Sequence, residues 1–418
     1  MQTLATNPQV PQSRPTTEPS GTAQNESAHE VAESAAKNFS IVVGGPVYDF
    51  LYRFHLVRQS MPNVWRRILA LMAVTWLPLL LLSLKEGLAF GHQVRIPFLY
   101  DLTMYGRLLI GVPLLLYAEL WIDPAIREGV SEFLDARLVP DKELPNFERI
   151  LQRVQQVRDS WIPEAILLAS AFFPVFLFQH EWVIGVVTNW HTTAKGLSAA
   201  GWWYAVVSAP LMRYIGYRWV FRYFLWPILL WQISRLQLIL MPTHPDRAAG
   251  LNFLASTQRH FGILGCALGC SVAGRIGNMM VFEGAQLASF KAPLAGFLVL
   301  SVILGLLPLA LWMPTLKKVR QVGLLEYGRF ANNYTKLFDR KWVHPAAKPA
   351  ESVLGTPDLQ SLADLGNSFA FVDNMRWAPI SRKLVQQLAA WTAIPLVPII
   401  IFGTPTAELV RQVMKMIM

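Results

Sequence analysis

Residues 68–84 read ILALMAVTWLPLLLLSL and carry no charged side chain. As an α-helix the stretch would extend about 25 Å, close to the roughly 30 Å hydrocarbon core of a bilayer. A helix satisfies its backbone hydrogen bonds internally, which the hydrocarbon core requires. The stretch therefore predicts a membrane-spanning helix.

Other segments of the chain share this composition. Charged residues make up only 15% of the 418 residues, against about 25% in a soluble domain. The further predicted spans are 102–122, 162–178, 202–222, 261–282, 293–312 and 388–402. The fold class predicted from this pattern is all-α, a polytopic transmembrane helical bundle of about seven spans.

The distribution of Lys and Arg predicts the orientation of the bundle. These residues collect before the first span, between spans 2 and 3, and in residues 313–387, whereas the alternate loops hold isolated charges. Since Lys and Arg favour cytoplasmic loops, the N-terminus is predicted to be cytoplasmic. An eighth span at 224–241 would place the basic block of 313–387 outside. Residues 202–240 are therefore predicted to form one long helix. The net charge of +10 is explained by orientation and not by nucleic-acid binding.

The predicted organisation has seven parts. The first 40 residues are polar, rich in Pro, Ser and Thr, and lack the apolar core of a signal peptide, which predicts disorder. The parts are a disordered tail (1–40), a cytoplasmic pre-membrane segment (41–67), spans 1 and 2 (68–122), a cytoplasmic helical connector (123–160), spans 3 to 6 with the long helix 202–240 and the loop 241–256 (161–312), a cytoplasmic helical region (313–387), and a short proline-broken span with a terminal amphipathic helix (388–418). The last span, with two prolines, either crosses the membrane or is re-entrant.

The loop between spans 4 and 5 contains PTHPDRAAG, with His244, Asp246 and Arg247 between prolines and a glycine. Asp246 is placed to cap a short turn, and Gly250 lets the backbone leave it. A metal site would need further ligands, and no second His or Cys stands at ligand spacing. A structural turn is the favoured interpretation. If the loop instead binds a ligand, these three residues are the first candidates.

Four stretches carry a family resemblance. They are HPDRAAGL (244–251), TWLPLLLLS (75–83), TPDLQSLADLGNSFAFVDNMRWAPIS (356–381) and PLVPIIIFGTPTAELV (395–410). Together they resemble a family of uncharacterised bacterial multi-pass inner-membrane proteins, and the likeness covers nearly the whole chain after the N-terminal tail. The resemblance implies location in the bacterial inner membrane. It transfers no activity, because none is known for the family.

Charged residues inside spans are candidates for function, because burying a charge in a bilayer is expensive. Glu119 and Glu164 lie at a depth similar to that of Arg218 and Arg222, so interhelical pairing is favoured over an ion relay. Arg107 is close enough to the periplasmic end of its span to snorkel. Arg213 and Arg275 lie deepest, with no acid at matching depth. Two such arginines facing a shared interior would suit an anion, and helix carbonyls are the alternative partners.

The fifth span carries small residues at four-residue spacing. They are Gly265, Gly269, Ala273 and Gly277, beside a second row that includes Cys266 and Cys270. Small residues at this spacing let helix backbones approach closely. The span is predicted to be central, with protein on two sides and Arg275 roughly opposite the small face. Tight packing is favoured over a gating surface.

Motifs of nucleotide, haem and zinc enzymes do not occur in the sequence, so no catalytic activity, metal or cofactor is predicted. Two function hypotheses remain. The first is a channel or transporter for an ion or small anion. The second is a membrane scaffold or sensor whose cytoplasmic helices bind a partner. The predicted partners are the lipid bilayer, with a homo-oligomer and a cytoplasmic protein as further candidates, and nucleic acid is excluded.

Overall fold

The computed structural model describes residues 21–46, 64–177, 189–193, 196–346, 352 and 355–402. In these ranges the chain is almost entirely helical. The helices are α1 (Gly21–Lys37), α2 (Val64–Lys85), α3 (Leu102–Asp135), α4 (Leu144–Asp159), α5 (Trp161–Leu177), α6 (residues 199–233), α7 (Phe253–Phe282), α8 (Leu287–Ala310), α9 (Met313–Phe338), α10 (Pro357–Asp373) and α11 (Arg382–Phe402). Two antiparallel strands of two residues each, β1 (Thr192–Thr193) and β2 (Gly196–Leu197), precede α6.

Five helices are long and apolar enough to span a membrane, namely α2, α3, α7, α8 and α11. This confirms the helical membrane class, and five of the predicted spans, the proline-containing last one among them, coincide with these helices. The other two predicted spans correspond to α5 and α6. In α5 the structure describes 17 residues, and α6 carries Arg213, Arg218 and Arg222. Neither is among the five.

The helix α6 ends earlier than predicted. It begins at Ala199, passes through a π-helical turn at Tyr204–Ser208, and ends at Ile233 instead of residue 240. After this point the chain turns and the amide of Ile239 donates to the carbonyl of Leu138, at 2.8 Å. A backbone bond to a distant loop replaces the helical one, so the prediction of one helix over 202–240 was wrong in its last part.

Part of the predicted disordered tail is ordered. Gly21–Lys37 form α1, and Ala32, Ala36 and Phe39 are almost fully buried against α3 and α4. The alanines at four-residue spacing provide an apolar face that the polar composition of the tail conceals. The prediction of disorder was therefore wrong for residues 21–40, and residues 1–20 lie outside the described part.

The largest apolar core surrounds the second half of α3. It includes Ile122, Ile126, Val130 and Phe133 of that helix, with side chains from α1, α4, α6, α7, α8, α9 and α11. Trp312, between α8 and α9, stacks on Phe133 with ring centroids 5.9 Å apart. The core therefore joins the membrane-spanning helices to α1, α4 and the start of α9.

The last helix, α11, changes geometry at its prolines. It is α-helical to Ala393, forms a 3-10 turn at Ile394–Leu396, and continues as α-helix to Phe402. It packs along α7 and α8. The predicted amphipathic helix after residue 402 lies outside the described residues.

Candidate functional site

A buried cluster of charged side chains joins α2, α3, α5 and α6. Arg222 lies 2.8 Å from one oxygen of Glu119, and Arg67 lies 2.5 Å from the other. Arg218 lies 3.4 Å from Glu164, whose carboxylate also accepts a hydrogen bond from Tyr214. The interhelical pairing predicted for the two glutamates is therefore present in the structure.

The segment after α1 supplies the remaining acceptors of this cluster. Three guanidinium groups face two carboxylates, and the surplus donors of Arg222 and Arg218 point at the carbonyls of Val42 (2.5 Å) and Gly44 (3.4 Å). Gly44 and Gly45 have φ angles of +130° and +93°, a backbone conformation that favours glycine. The segment wraps the arginines with its backbone and buries Phe39 and Val42 in the core.

Sequence reasoning missed two parts of this cluster. Arg67 stands directly before the first predicted span and was assigned to orientation alone. The carbonyls of residues 42 and 44 leave no side-chain pattern, because every residue has a carbonyl. The Gly-Gly pair in an otherwise apolar stretch was the available signal for a sharp turn at this position.

The loop with His244, Asp246 and Arg247 is organised by one carboxylate. Asp246 accepts hydrogen bonds from the amides of Ala248 (2.7 Å), Gly250 (3.2 Å) and Asn252 (3.0 Å), and His244 Nδ1 lies 2.8 Å from it. Burial opposes ionisation of Asp246, but the backbone hydrogen bonds outweigh it and lower the pKa of the carboxyl. Arg247 and Ala249 have φ angles of +57°, and the Asp246 bonds hold this costly conformation.

The same loop connects the bundle to the helices that follow α8. Arg376, just after α10, donates to the carbonyl of Asp246 (2.5 Å) and to the side chain of Asn252 (3.0 Å), and its amide donates to the carbonyl of Arg247 (2.8 Å). A Cβ on Gly323 of α9 would lie 2.7 Å from Pro242, so α9 also rests on the loop. These contacts give the loop a structural role, since they connect the bundle to α9 and to the segment after α10. Across the described residues, no group of three or more His, Cys, Asp or Glu side chains could hold a metal ion.

The structure does not bring Arg213 and Arg275 together. Arg213 donates to the carbonyl of Ala171 on α5, at 3.2 Å. Arg275 is exposed on α7, whose packing partners are α3 and α11. The expected shared interior of these two arginines is therefore wrong. Arg107 on α3 is half-buried and lies on a helix that packs directly on α7.

The small residues of α7 make two close contacts. Gly265 and Gly269 face α11, where a Cβ on Gly269 would lie 2.6 Å from Pro395 Cγ. Gly277 meets Leu102 of α3. Ala273 lies beside a small apolar cluster with Ile276 and Ile399. The helix thus contacts protein on two sides, and Arg275 lies on its free face.

Helices α9 and α10 form an antiparallel hairpin. At its base Arg320 donates to the backbone carbonyl (2.8 Å) and the carboxylate (3.0 Å) of Asp373. Towards its tip Tyr334 donates to the carbonyl of Asp358 at 3.0 Å, and Lys341 pairs with the Asp358 carboxylate at 2.7 Å. The hairpin is therefore bonded at its base and towards its tip, and it is anchored to the loop 241–256.

The outward face of α9 carries both cationic and apolar side chains. At about 100° per residue, five exposed residues lie within about 40° of one line along the helix. We name these residues the α9 stripe: Lys318, Val322, Leu325, Arg329 and Lys336. The three cations of the stripe have no ion-pair partner among the described residues. Leu325 is 62% exposed, and on the adjoining face Phe330 and Leu337 are 61% and 65% exposed.

Comparison of the chain with protein-family models, with curated proteins and with solved structures finds no match.

Proposed function

We propose that this protein is a multi-pass protein of the bacterial inner membrane that uses the α9–α10 hairpin to bind a cytoplasmic partner protein. The observation that carries the proposal is the α9 stripe. Apolar side chains scattered singly over a surface are normal, but large ones grouped on neighbouring faces of one helix mark an interaction surface. In the stripe Val322 and Leu325 are 43% and 62% exposed, and on the adjoining face Phe330 and Leu337 are 61% and 65% exposed.

The proposal includes a topology of seven spans with the N-terminus and the hairpin in the cytoplasm. The spans are the five long apolar helices together with α5 and α6. The excess of Lys and Arg in 313–387 supports a cytoplasmic hairpin. Inner-membrane location follows from the resemblance to bacterial inner-membrane proteins. We propose neither an enzymatic activity nor a cofactor.

A protein partner suits the α9 stripe better than a lipid surface does. A helix that lies on a membrane buries an apolar face and keeps its cations at the edges of that face. In the α9 stripe Arg329 and Lys336 lie on the same line as Val322 and Leu325. Immersing that line in acyl chains would also bury the cations, whereas a protein can place a carboxylate opposite each of them.

The partner we propose is an amphipathic helix with acidic residues interspersed among its apolar positions. Such a helix would lie along α9 and match both the apolar and the cationic members of the stripe. Hydrogen bonds at its base and tip already order the hairpin. Binding of a partner therefore costs little further conformational entropy in the hairpin. An open concavity of about 430 Å³ at the end of α9, lined in part by Lys336, Phe338 and Arg340, offers space for a side chain of that helix.

The permeation hypothesis has less support. It was motivated by the intramembrane arginines, the Gly-rich central span and the proline-broken last span. Of the deepest arginines, Arg213 donates to a helix carbonyl and Arg275 is exposed. The two glutamates of the spans are engaged with Arg67, Arg218 and Arg222. We therefore place partner binding first.

The test is photo-crosslinking in cells from a photoreactive amino acid at position 325. We expect a discrete adduct with another protein, identified by mass spectrometry. Arg329→Glu in the same chain should reduce that adduct severalfold, because it places a negative charge opposite an acidic partner. Lys317→Glu is the matched control, since Lys317 lies about 100° away from the stripe and over the Trp377 ring.

Three results would contradict the proposal. Adducts with lipid alone would make the α9 stripe a membrane-surface element. Adducts only with a second copy of the chain would make the stripe an oligomer interface. An equal loss of the adduct in Arg329→Glu and Lys317→Glu would show that the charge of the stripe has no specific role.

A further inference from the structure

Arg107 and Arg275 are arginines well inside the apolar helices that have no partner among the described residues. Arg107 lies in α3 and Arg275 in α7, and within the described residues neither guanidinium has a hydrogen bond or an ion pair. The three arginines of α6 differ. Arg213 donates to a carbonyl at 3.2 Å, Arg218 pairs with Glu164 at 3.4 Å, and Arg222 pairs with Glu119 at 2.8 Å.

The two arginines flank one close helix crossing. A Cβ on Gly106 would overlap the carbonyl oxygen of Cys270, and a Cβ on Gly274 would overlap that of Leu102. The backbones of α3 and α7 therefore touch at these glycines. Arg107 and Arg275 are the residues that directly follow Gly106 and Gly274.

The two side chains emerge on the same side of this crossing. A Cβ on Gly111 would lie 3.6 Å from Ser271 Oγ, so Gly111 and Ser271 face each other. Arg107 precedes Gly111 by four residues and Arg275 follows Ser271 by four, which places both arginines at that edge of the crossing. In the antiparallel pair Gly106 contacts Cys270 and Gly274 contacts Leu102, so Arg107 and Arg275 lie one residue beyond opposite ends of this contact. At 1.5 Å per residue the two residues are about 9 Å apart along the axis.

The direction of the side chains brings the guanidinium groups closer still. In an α-helix each Cα–Cβ bond tilts towards the helix N-terminus. The N-termini of α3 and α7 lie at opposite ends of the crossing, so the two side chains tilt along the axis in opposite senses. Each side chain therefore tilts towards the level of the other, and both guanidinium groups can reach one ligand between them.

The charge at this crossing is unbalanced. The nearest acid of α3, Asp101, has both oxygens engaged, with Asn278 Nδ2 at 2.7 Å and Trp190 Nε1 at 2.8 Å. Among the described residues Asp101 forms no ion pair with either arginine, so both cations lack a counter-charge there. Arginine keeps its charge in proteins, and two cations repel strongly where the dielectric is low. A bound anion removes that repulsion.

We infer that Arg107 and Arg275 together form a binding site for a phosphate-type oxyanion, supplied either by a lipid headgroup or by a solute. The planar guanidinium matches the oxygens of a phosphate group in a bidentate manner. Arg107 lies within a π-helical turn, Tyr105–Gly111, and such turns are frequent at functional sites. The site is independent of the α9 stripe and of the partner proposed for it.

Thermal unfolding of the purified full-length protein in detergent tests the inference. The protein is titrated with inorganic phosphate, with phosphatidylglycerol, and with diacylglycerol, which lacks the phosphate. We expect phosphate or phosphatidylglycerol, but not diacylglycerol, to raise the midpoint of unfolding. The apparent affinity should fall about tenfold in Arg275→Gln and in Arg107→Gln, the loss expected for one charge-assisted hydrogen bond. Lys291→Gln, which removes an exposed charge elsewhere, should titrate like the wild type.

The two ligands identify the source of the anion. A response to inorganic phosphate indicates a solute, and a response to phosphatidylglycerol alone indicates a lipid headgroup. Without ligand, Arg275→Gln should unfold at the same temperature as the wild type or higher, because it relieves repulsion and leaves no partner unpaired. If Arg107→Gln does not fold, the result for Arg275→Gln alone tests the inference. A wild type that responds to neither ligand, an Arg275→Gln variant that titrates like the wild type, or a lower ligand-free midpoint in that variant would each overturn the inference.

Discussion

Arg222 and Glu119 form a buried ion pair with 2.8 Å between Nη1 of the arginine and Oε1 of the glutamate. The arginine comes from α6 and the glutamate from α3, so the pair ties two helices of the bundle. Arg67 of α2 approaches the other carboxylate oxygen at 2.5 Å. One carboxylate thus pairs with two cations, and the integrity of the cluster depends on Glu119.

Glu119→Gln should destabilise the protein by about 3–5 kcal/mol, because it leaves two buried guanidinium groups without their counter-charge. Thermal or denaturant unfolding in detergent measures the change. Lys37→Gln, which breaks an exposed pair with Glu33 on α1, is the control and should unfold like the wild type. A Glu119→Gln variant as stable as this control would show that the cluster contributes nothing to stability.

Gly269→Leu should destabilise the protein more than Leu268→Ala does. A Cβ at position 269 would lie 2.6 Å from Pro395 Cγ, so a larger side chain forces α7 and α11 apart, at a cost of about 1–3 kcal/mol. Leu268 is 57% exposed, and its truncation should change stability by less than about 0.5 kcal/mol. Equal thermal midpoints of the two variants would mean that the Gly269 face does not pack against α11.

Asp246→Asn should lower stability by about 1–3 kcal/mol near neutral pH, because the amide replaces an oxygen that accepts backbone hydrogen bonds. The pKa of Asp246 is lower in the folded protein than the unfolded value of about 3.9. Its contribution is therefore fully present above that value and is lost as the pH falls through the lowered pKa.

The difference between wild type and Asp246→Asn should accordingly narrow below about pH 4, measured by unfolding at a series of pH values. Asp364→Asn, at an exposed position on α10, is the control and should match the wild type. A difference that is constant down to pH 2 would mean that the ionised form of Asp246 has no special role in the loop.

A reporter that is active only in the cytoplasm should be active when fused after Lys348 and silent when fused after Lys195. The physical reason is the concentration of Lys and Arg in 313–387 and their scarcity in the loop before α6. A silent reporter at Lys348 would place the hairpin outside and remove the cytoplasmic partner from the proposed function.

The pairing of charges in the bundle was predictable only in part. Glu119 and Arg222 lie at matching depth in two predicted spans, and such residues are expected to pair because an unpaired charge in a membrane is expensive. Depth alone also suggested that Arg213 and Arg275 could face a shared interior, whereas Arg213 has the alternative partner, a helix carbonyl. Depth states how far along a helix a residue lies, but not which neighbour its side chain faces.

In the loop at Asp246 the local turn was predictable from the sequence, but the long-range contact of the loop was not. Its prolines, aspartate and glycine predicted a turn, and the carboxylate does organise the backbone there. Its contact with Arg376 joins residues 130 positions apart. Because the acceptor is a backbone carbonyl, no residue pattern in the sequence points to that contact.

The sequence by itself determined that this chain is a helical membrane protein, because runs such as residues 68–84 can satisfy their backbone in a bilayer only as helices. It also determined where small residues permit close packing, as at Gly269. Only the tertiary structure decided which helices meet, that Arg107 and Arg275 flank one crossing, and that Ala32, Ala36, Phe39 and Val42 belong to the core. The reason is physical: in a bilayer both lipid-facing and protein-facing surfaces are apolar, so periodicity does not distinguish them, and the partner of each helix is set by packing and by backbone hydrogen bonds.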